Sequence, residues 1–217
     1  MIRSKLAIIS SFIILAICMY LSLPIPNNVT LGAHSTFMSF PISDLNGYIW
    51  LGVVGSVLFI VALILLIVGI KKYYFRTIVA VLIIYSILPT FLISLYQETF
   101  ANGIQSISYD GNGNCNFEDV SEDIINGECN LVLHNHSNEA VTFELEFLDS
   151  FPTEDELQVE SLMNIAGPYR ITIEANQKKS IHLKKLLDIS DTPKHIDSGS
   201  SNNIHFKLID GETTRIL

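Results

Sequence analysis

The chain has 217 residues, 49% of them hydrophobic, with a mean hydropathy of +0.40 and a net charge of −9. Its charge is segregated: residues 1–97 hold five Lys and Arg against Asp44 alone, whereas residues 98–217 hold 21 Asp and Glu against 8 Lys and Arg. So acidic a polar part excludes a nucleic-acid surface, which needs Lys and Arg over phosphates, and argues against a face lying on anionic lipid.

Residues 1–97 read as a membrane anchor. After Arg3 and Lys5, residues 6–23 form an uncharged run, about 27 Å long as a helix and close to the hydrocarbon thickness of a bilayer. A basic start followed by an apolar run also describes a signal peptide. However, no small-x-small cleavage site precedes Pro24-Ile25-Pro26, and Ile17 stands before Cys18 where a lipoprotein signal needs a small residue. The reading is an uncleaved span. Residues 24–47 form an outer loop without Lys or Arg. Its Phe37, Met38, Phe40 and Ile42 either dip into the interface or pack on the helix ends or the C-terminal domain.

Residues 48–70 make the second span, with Tyr48 and Trp50 at one end and Lys71-Lys72 at the other, an aromatic belt facing a basic anchor. Gly52, Gly55 and Ser56 lie about one turn apart and allow close approach of a neighbour. Residues 77–96 make the third span, with Pro89 as a potential kink. Arg3, Lys5, Lys71, Lys72 and Arg76 fall on one side after two crossings, and the loop on the other side has no basic residue. The positive-inside rule then sets the N-terminus in the cytoplasm of a multi-pass cell-membrane protein and residues 98–217 outside it. No Asp, Glu, Lys, Arg or His lies in any of these three runs, which disfavours a self-contained pump or transporter.

Residues 98–217 alternate with period two. Val141, Phe143, Leu145 and Phe147 interleave with Thr142, Glu144 and Glu146, and the same pattern recurs at Cys129–His134, Tyr169–Glu174, Ile181–Lys184 and Ile204–Leu208. With Gly103–Tyr109 and Thr213–Leu217 this gives seven candidate strands, as in an all-β sandwich. The stretch from Cys129 to Phe147 resembles strands of immunoglobulin-like or fibronectin-like modules, a resemblance of architecture confined to this domain. The domain has no tryptophan, so an antibody-type core is not implied. Thr153 with Glu156 fits a capping box for a short helix over residues 154–163.

Cys115 and Cys129 are the only cysteines outside the spans, and an exported pair favours a disulfide closing a short loop. A metal or redox pair would need closer spacing or further ligands, and free thiols are the remaining option. Asp110, Asn112, Asn114 and Glu118 resemble the opening of a calcium loop, but Cys115 and Ser121 stand where glycine and the bidentate glutamate belong. The competing reading is a Gly/Asn turn. His134, His182 and His205 share the outward phase of their strands and would make a metal site only if those strands were neighbours. Asn28-Val29-Thr30 and Asn135-His136-Ser137 are glycosylation sequons. No sequence motif nominates a catalytic residue or a cofactor. The expectation is a non-enzymatic, acidic extracytoplasmic binding module for a protein or cell-envelope partner. The alternative is an accessory subunit of a membrane transport or sensing complex, forming homo- or hetero-oligomers through its helices.

Overall fold

The computed structural model describes residues 3–23, 35–44, 47–149, 158–192, 195–202 and 204–217. They form two compact units, one holding the helices up to Leu95 and one running from Tyr96 to Leu217.

In the first unit, α1 (Lys5–Ser22), α2 (Trp50–Gly69) and α3 (Tyr74–Thr99) are each long and apolar enough to cross a membrane. Ser4 caps α1 by accepting from the Ala7 N–H. The backbone N–H groups of Arg3 and Ser4 donate to the Gly69 carbonyl at 2.8 and 3.3 Å, satisfying a carbonyl that the end of α2 would leave orphaned. This contact sets α1 antiparallel to α2 and gathers Arg3, Lys5, Lys71 and Lys72 at one end of the unit. Further down the interface, the Ser11 hydroxyl donates to the Ala62 carbonyl at 2.7 Å, and the Tyr85 hydroxyl donates to the Leu15 carbonyl. Such side-chain-to-carbonyl hydrogen bonds join apolar helices to one another.

α3 begins earlier and ends later than residues 77–96. Tyr73 takes a left-handed φ of 68° and turns the chain, so that Tyr74, Phe75 and Arg76 already form the first helical turn. Lys72 and Arg76 both lie over the Tyr73 ring, 5.1 and 5.5 Å from its centroid, within cation–π range. The segment between α1 and α2 contains a small antiparallel sheet of β1 (Ser35–Phe37), β2 (Phe40–Asp44) and β3 (Gly47–Tyr48). Phe40 is buried at 1% exposure, packing beside the Phe59 ring. The loop thus packs on the helices at Phe40.

The second unit opens with a 3-10 turn, Gly103–Ser106, where a single strand was expected over Gly103–Tyr109; Gly103 takes a φ of 57° there. The strands are β4 (Ile107–Tyr109), β5 (Asn114–Ser121), β6 (Ile124–Asn135), β7 (Val141–Leu148), β8 (Tyr169–Ile173), β9 (Lys178–Asp188), β10 (Gly199–Asn202), β11 (His205–Asp210) and β12 (Thr213–Ile216). β9 follows one edge of β6, while β4 and β5 share the other and β10 extends beyond β5. The second sheet runs β12-β11-β7-β8, and every pairing in both is antiparallel. Neither sheet closes into a barrel. Inward residues from both, among them Phe117, Leu131, Phe143, Phe147 and Phe206, form one apolar core, so the sheets stack as two layers around it. The helix expected over residues 154–163 appears only as a 3-10 segment, Glu160–Ala166, and its suggested cap at Thr153 and Glu156 lies outside the described residues.

Candidate functional site

Cys115 on β5 and Cys129 on β6 are directly opposite in register, with Cα atoms 4.1 Å apart, and form a disulfide. Both are fully buried in the core between the sheets. The bond staples the central strand pair of the larger sheet.

The residues of the calcium-loop reading do not converge. Asp110 makes its own turn, Oδ1 accepting from the Asn112 N–H at 3.1 Å, and its Oδ2 lies 3.8 Å from Lys178 Nζ. Asn114 and Glu118 then stand four residues apart on the extended β5, a separation of about 13 Å at strand rise. The histidines separate as well. His182 and His134 lie on β9 and β6, but His182 is opposite Asn130, four residues along β6 from His134. His205 lies on β11 in the other sheet. No group of three or more His, Cys, Asp or Glu side chains suited to a metal ion occurs among the described residues.

What the structure brings together instead is a pair of imidazoles. The His134 and His136 rings lie 4.0 Å apart, and His136 Nε2 is 2.8 Å from the Ser108 hydroxyl. Burial holds the His136 imidazole below its ordinary value, helped by His134 and opposed by Glu98. Glu98, Asn102, His136, Glu139 and Asp210 line a polar cavity of about 340 Å³ beside the last turn of α3.

Two buried polar residues brace this region. The Asn135 side chain is wholly buried. Its Nδ2 donates to the carbonyls of Glu139, Ile173 and Glu174 at 2.8, 3.1 and 3.1 Å, and its Oδ1 accepts from Ser106 and Ser137. The sequon Asn135-His136-Ser137 is therefore a structural knot; Asn28-Val29-Thr30 lies outside the described residues. Arg215, 5% exposed, donates from Nη1 to the carbonyls of Ile104, Gln105 and Ile107. Burial lowers its pKa to about 10, and its Nε is buried without a hydrogen-bond partner. Period-two reading marked neither as functional, although Asn135 continues the inward phase of Leu131 and Leu133.

The glycine face of α2 is filled from within the chain. A Cβ on Gly52 would lie 1.6 Å from the Pro41 carbonyl oxygen, and one on Gly55 would lie 2.6 Å from the Phe40 ring. Cys18 Sγ also approaches the Gly55 carbonyl, at 3.7 Å.

These features define a protein with three candidate membrane helices and a disulfide-stapled, two-sheet β domain. No family model, curated protein or solved structure matches the chain.

Proposed function

We propose that this is a multi-pass membrane protein presenting an acidic, immunoglobulin-like β domain outside the cytoplasm as a non-enzymatic binding module. The observation that carries the reading is the Cys115–Cys129 disulfide in a domain that follows three candidate spans. Disulfides persist in oxidising compartments, and that placement agrees with the excess of Lys and Arg at Arg3, Lys5, Lys71, Lys72 and Arg76. The immunoglobulin-like description rests on two open antiparallel sheets sharing one core. Its binding role is an analogy with such modules, and the partner is a protein or an envelope component.

Labelling with a membrane-impermeant thiol reagent in intact cells tests the orientation. Ser35→Cys is expected to react and Tyr73→Cys to stay silent until the cells are opened. The reverse pattern overturns the proposal.

The subunit reading keeps two supporting observations. Only 17% of the apolar window of α3 is buried, against 33% for α1 and α2, and an apolar groove of about 400 Å³ lined by Phe12, Ala16, Val81 and Leu88 runs between α1 and α3. A partner helix there would be recovered stoichiometrically by cross-linking before mild-detergent purification. A lone monomer or homo-oligomer rules out a hetero-complex.

A further inference from the structure

The outward face of the larger sheet is unusual in one respect. Asn114 and Asn116 on β5, Asn126 and Asn130 on β6, and Asn202 on β10 all project to the same side, away from the core. Asparagine is depleted in strands, where β-branched and aromatic residues pack better on a pleated surface. Five on one sheet face run against local preference, and such violations concentrate at functional positions.

The register arranges them in rows. Asn202, Asn114, Asn130 and His182 are successive cross-strand partners, and Ser200, Asn116, Glu128 and Lys184 form the next row. Four strands span about 14 Å, and rows two residues apart lie about 7 Å along the strands. Internal bonding does not account for the amides. Asn130 Oδ1 meets His182 Nδ1 at 2.5 Å and Asn116 reaches Glu118 at 3.4 Å. The side chains of Asn114 and Asn126 make no hydrogen bond to another described residue.

The face also limits what can lie on it. The two lysines on the outward phase of β9 each have a carboxylate partner, Lys184 with Glu128 at 2.9 Å and Lys178 with Asp110 at 3.8 Å, so the face holds no unpaired outward lysine to draw a polyanion. No Phe, Tyr or Trp stands on the outward phase of β5, β6, β9 or β10, whereas protein interfaces draw their strongest contacts from aromatic and Arg anchors. A carboxamide offers two donors and an acceptor, which matches a surface of hydroxyls that each donate and accept. We propose that this face binds an uncharged polyhydroxyl chain, a neutral glycan laid across the asparagine rows.

The proposal rests on the binding-module reading above and names its site and ligand class. It is tested on the full-length protein in nanodiscs, because sugar-headed detergents would compete. Calorimetric titrations use cellohexaose, maltohexaose and chitohexaose, with hexagalacturonate as a charged control. At least one neutral hexaose is expected to bind. The double variant Asn114→Thr/Asn126→Thr, which suits strands better, is expected to bind it at least tenfold more weakly with an unchanged or higher thermal midpoint. The inference is overturned if no neutral hexaose binds, if only hexagalacturonate binds, or if the variant binds equally well. A photo-cross-linker at Asn116 in intact cells separates the two readings. A protein adduct with no hexaose binding overturns the glycan and leaves the binding module standing, whereas neither adduct nor hexaose binding overturns both.

Discussion

Asn135 Oδ1 accepts a hydrogen bond from the Ser106 hydroxyl at 3.1 Å in the wholly buried interior of the β unit. This bond ties the turn after α3 to the end of β6, and the Asn135 amide extends the tie to the carbonyls of Glu139, Ile173 and Glu174. An unsatisfied buried polar group costs about 1–3 kcal/mol. Asn135→Ala strands several at once and is expected to destabilise the β unit by about 3 kcal/mol or more. Asn135→Asp is expected to be worse, since an acceptor would replace the donor facing three carbonyls. Thermal unfolding of the full chain followed by near-ultraviolet circular dichroism checks the order. Peptide mapping of folded protein from a glycosylating host is expected to return Asn135 unmodified.

The disulfide closes its loop within the core and joins residues 14 apart in sequence. For a loop of this size the chain-entropy model gives about 3 kcal/mol. The double variant Cys115→Ala/Cys129→Ala is therefore expected to lower the melting temperature of the β unit by roughly 10 °C or more. The helical unit supplies the control, because its Cys18 is a free thiol. Reductant is expected to move only the β-unit transition, as measured by calorimetry with and without it.

Physical signal strength decided what could be read from the sequence. α1 and α2 were legible because uncharged runs about as long as the hydrocarbon core is thick have few alternatives. Val141 to Phe147 was legible because four large inward residues alternate without interruption. β5 was not: only Cys115 and Phe117 mark its inward phase, and Asp110 to Asn114 carries the residues of a turn. β10, Gly-Ser-Ser-Asn, has no apolar residue at all and becomes a strand only by pairing with β5. At the candidate site, the cysteine pair was legible from count and spacing. The burial of Asn135 was hidden because its sequon suggests surface, although its phase on β6 pointed inward.

His136 and His205 set an acid limit on the fold. Burial holds both imidazoles below the ordinary value of about 6.5, with His134 adding to the effect at His136, Glu98 opposing it there and Glu160 opposing it at His205. As pH falls through that value the unfolded chain takes up protons that the folded chain does not, so stability declines. It is fully present above about pH 7 and is lost progressively until the folded imidazoles themselves protonate. Glu128, held low by its hydrogen bond to Lys184, and Asp188, held low by Ser190, contribute only further down, in the carboxylate range. Melting temperatures between pH 7.5 and 5 are expected to fall in the parent and to fall less steeply in His136→Gln/His205→Gln. Equal slopes in the two proteins would refute the assignment.

Gly52 tests whether the small-residue face of α2 serves the chain itself or a partner. A Cβ there would meet the Pro41 carbonyl oxygen at 1.6 Å, a backbone atom that cannot swing aside as a side-chain tip can. Gly52→Ala is expected to push β2 off α2 and expose the position of Phe40, which is 1% exposed in the parent. With Phe40→Cys as a reporter, a small thiol reagent is expected to react at least tenfold faster when Gly52→Ala is also present, and the melting temperature of the helical unit is expected to drop. If a partner helix occupied this face instead, Gly52→Ala would abolish its recovery by cross-linking and leave the reactivity of Phe40→Cys unchanged. The hydrogen bond from the Ile49 N–H to the Ile42 carbonyl, 2.8 Å long, ties β2 to the start of α2 and lies outside this contact. The displacement is therefore expected to be local, with β2 shifted at Pro41 and still tethered at Ile42.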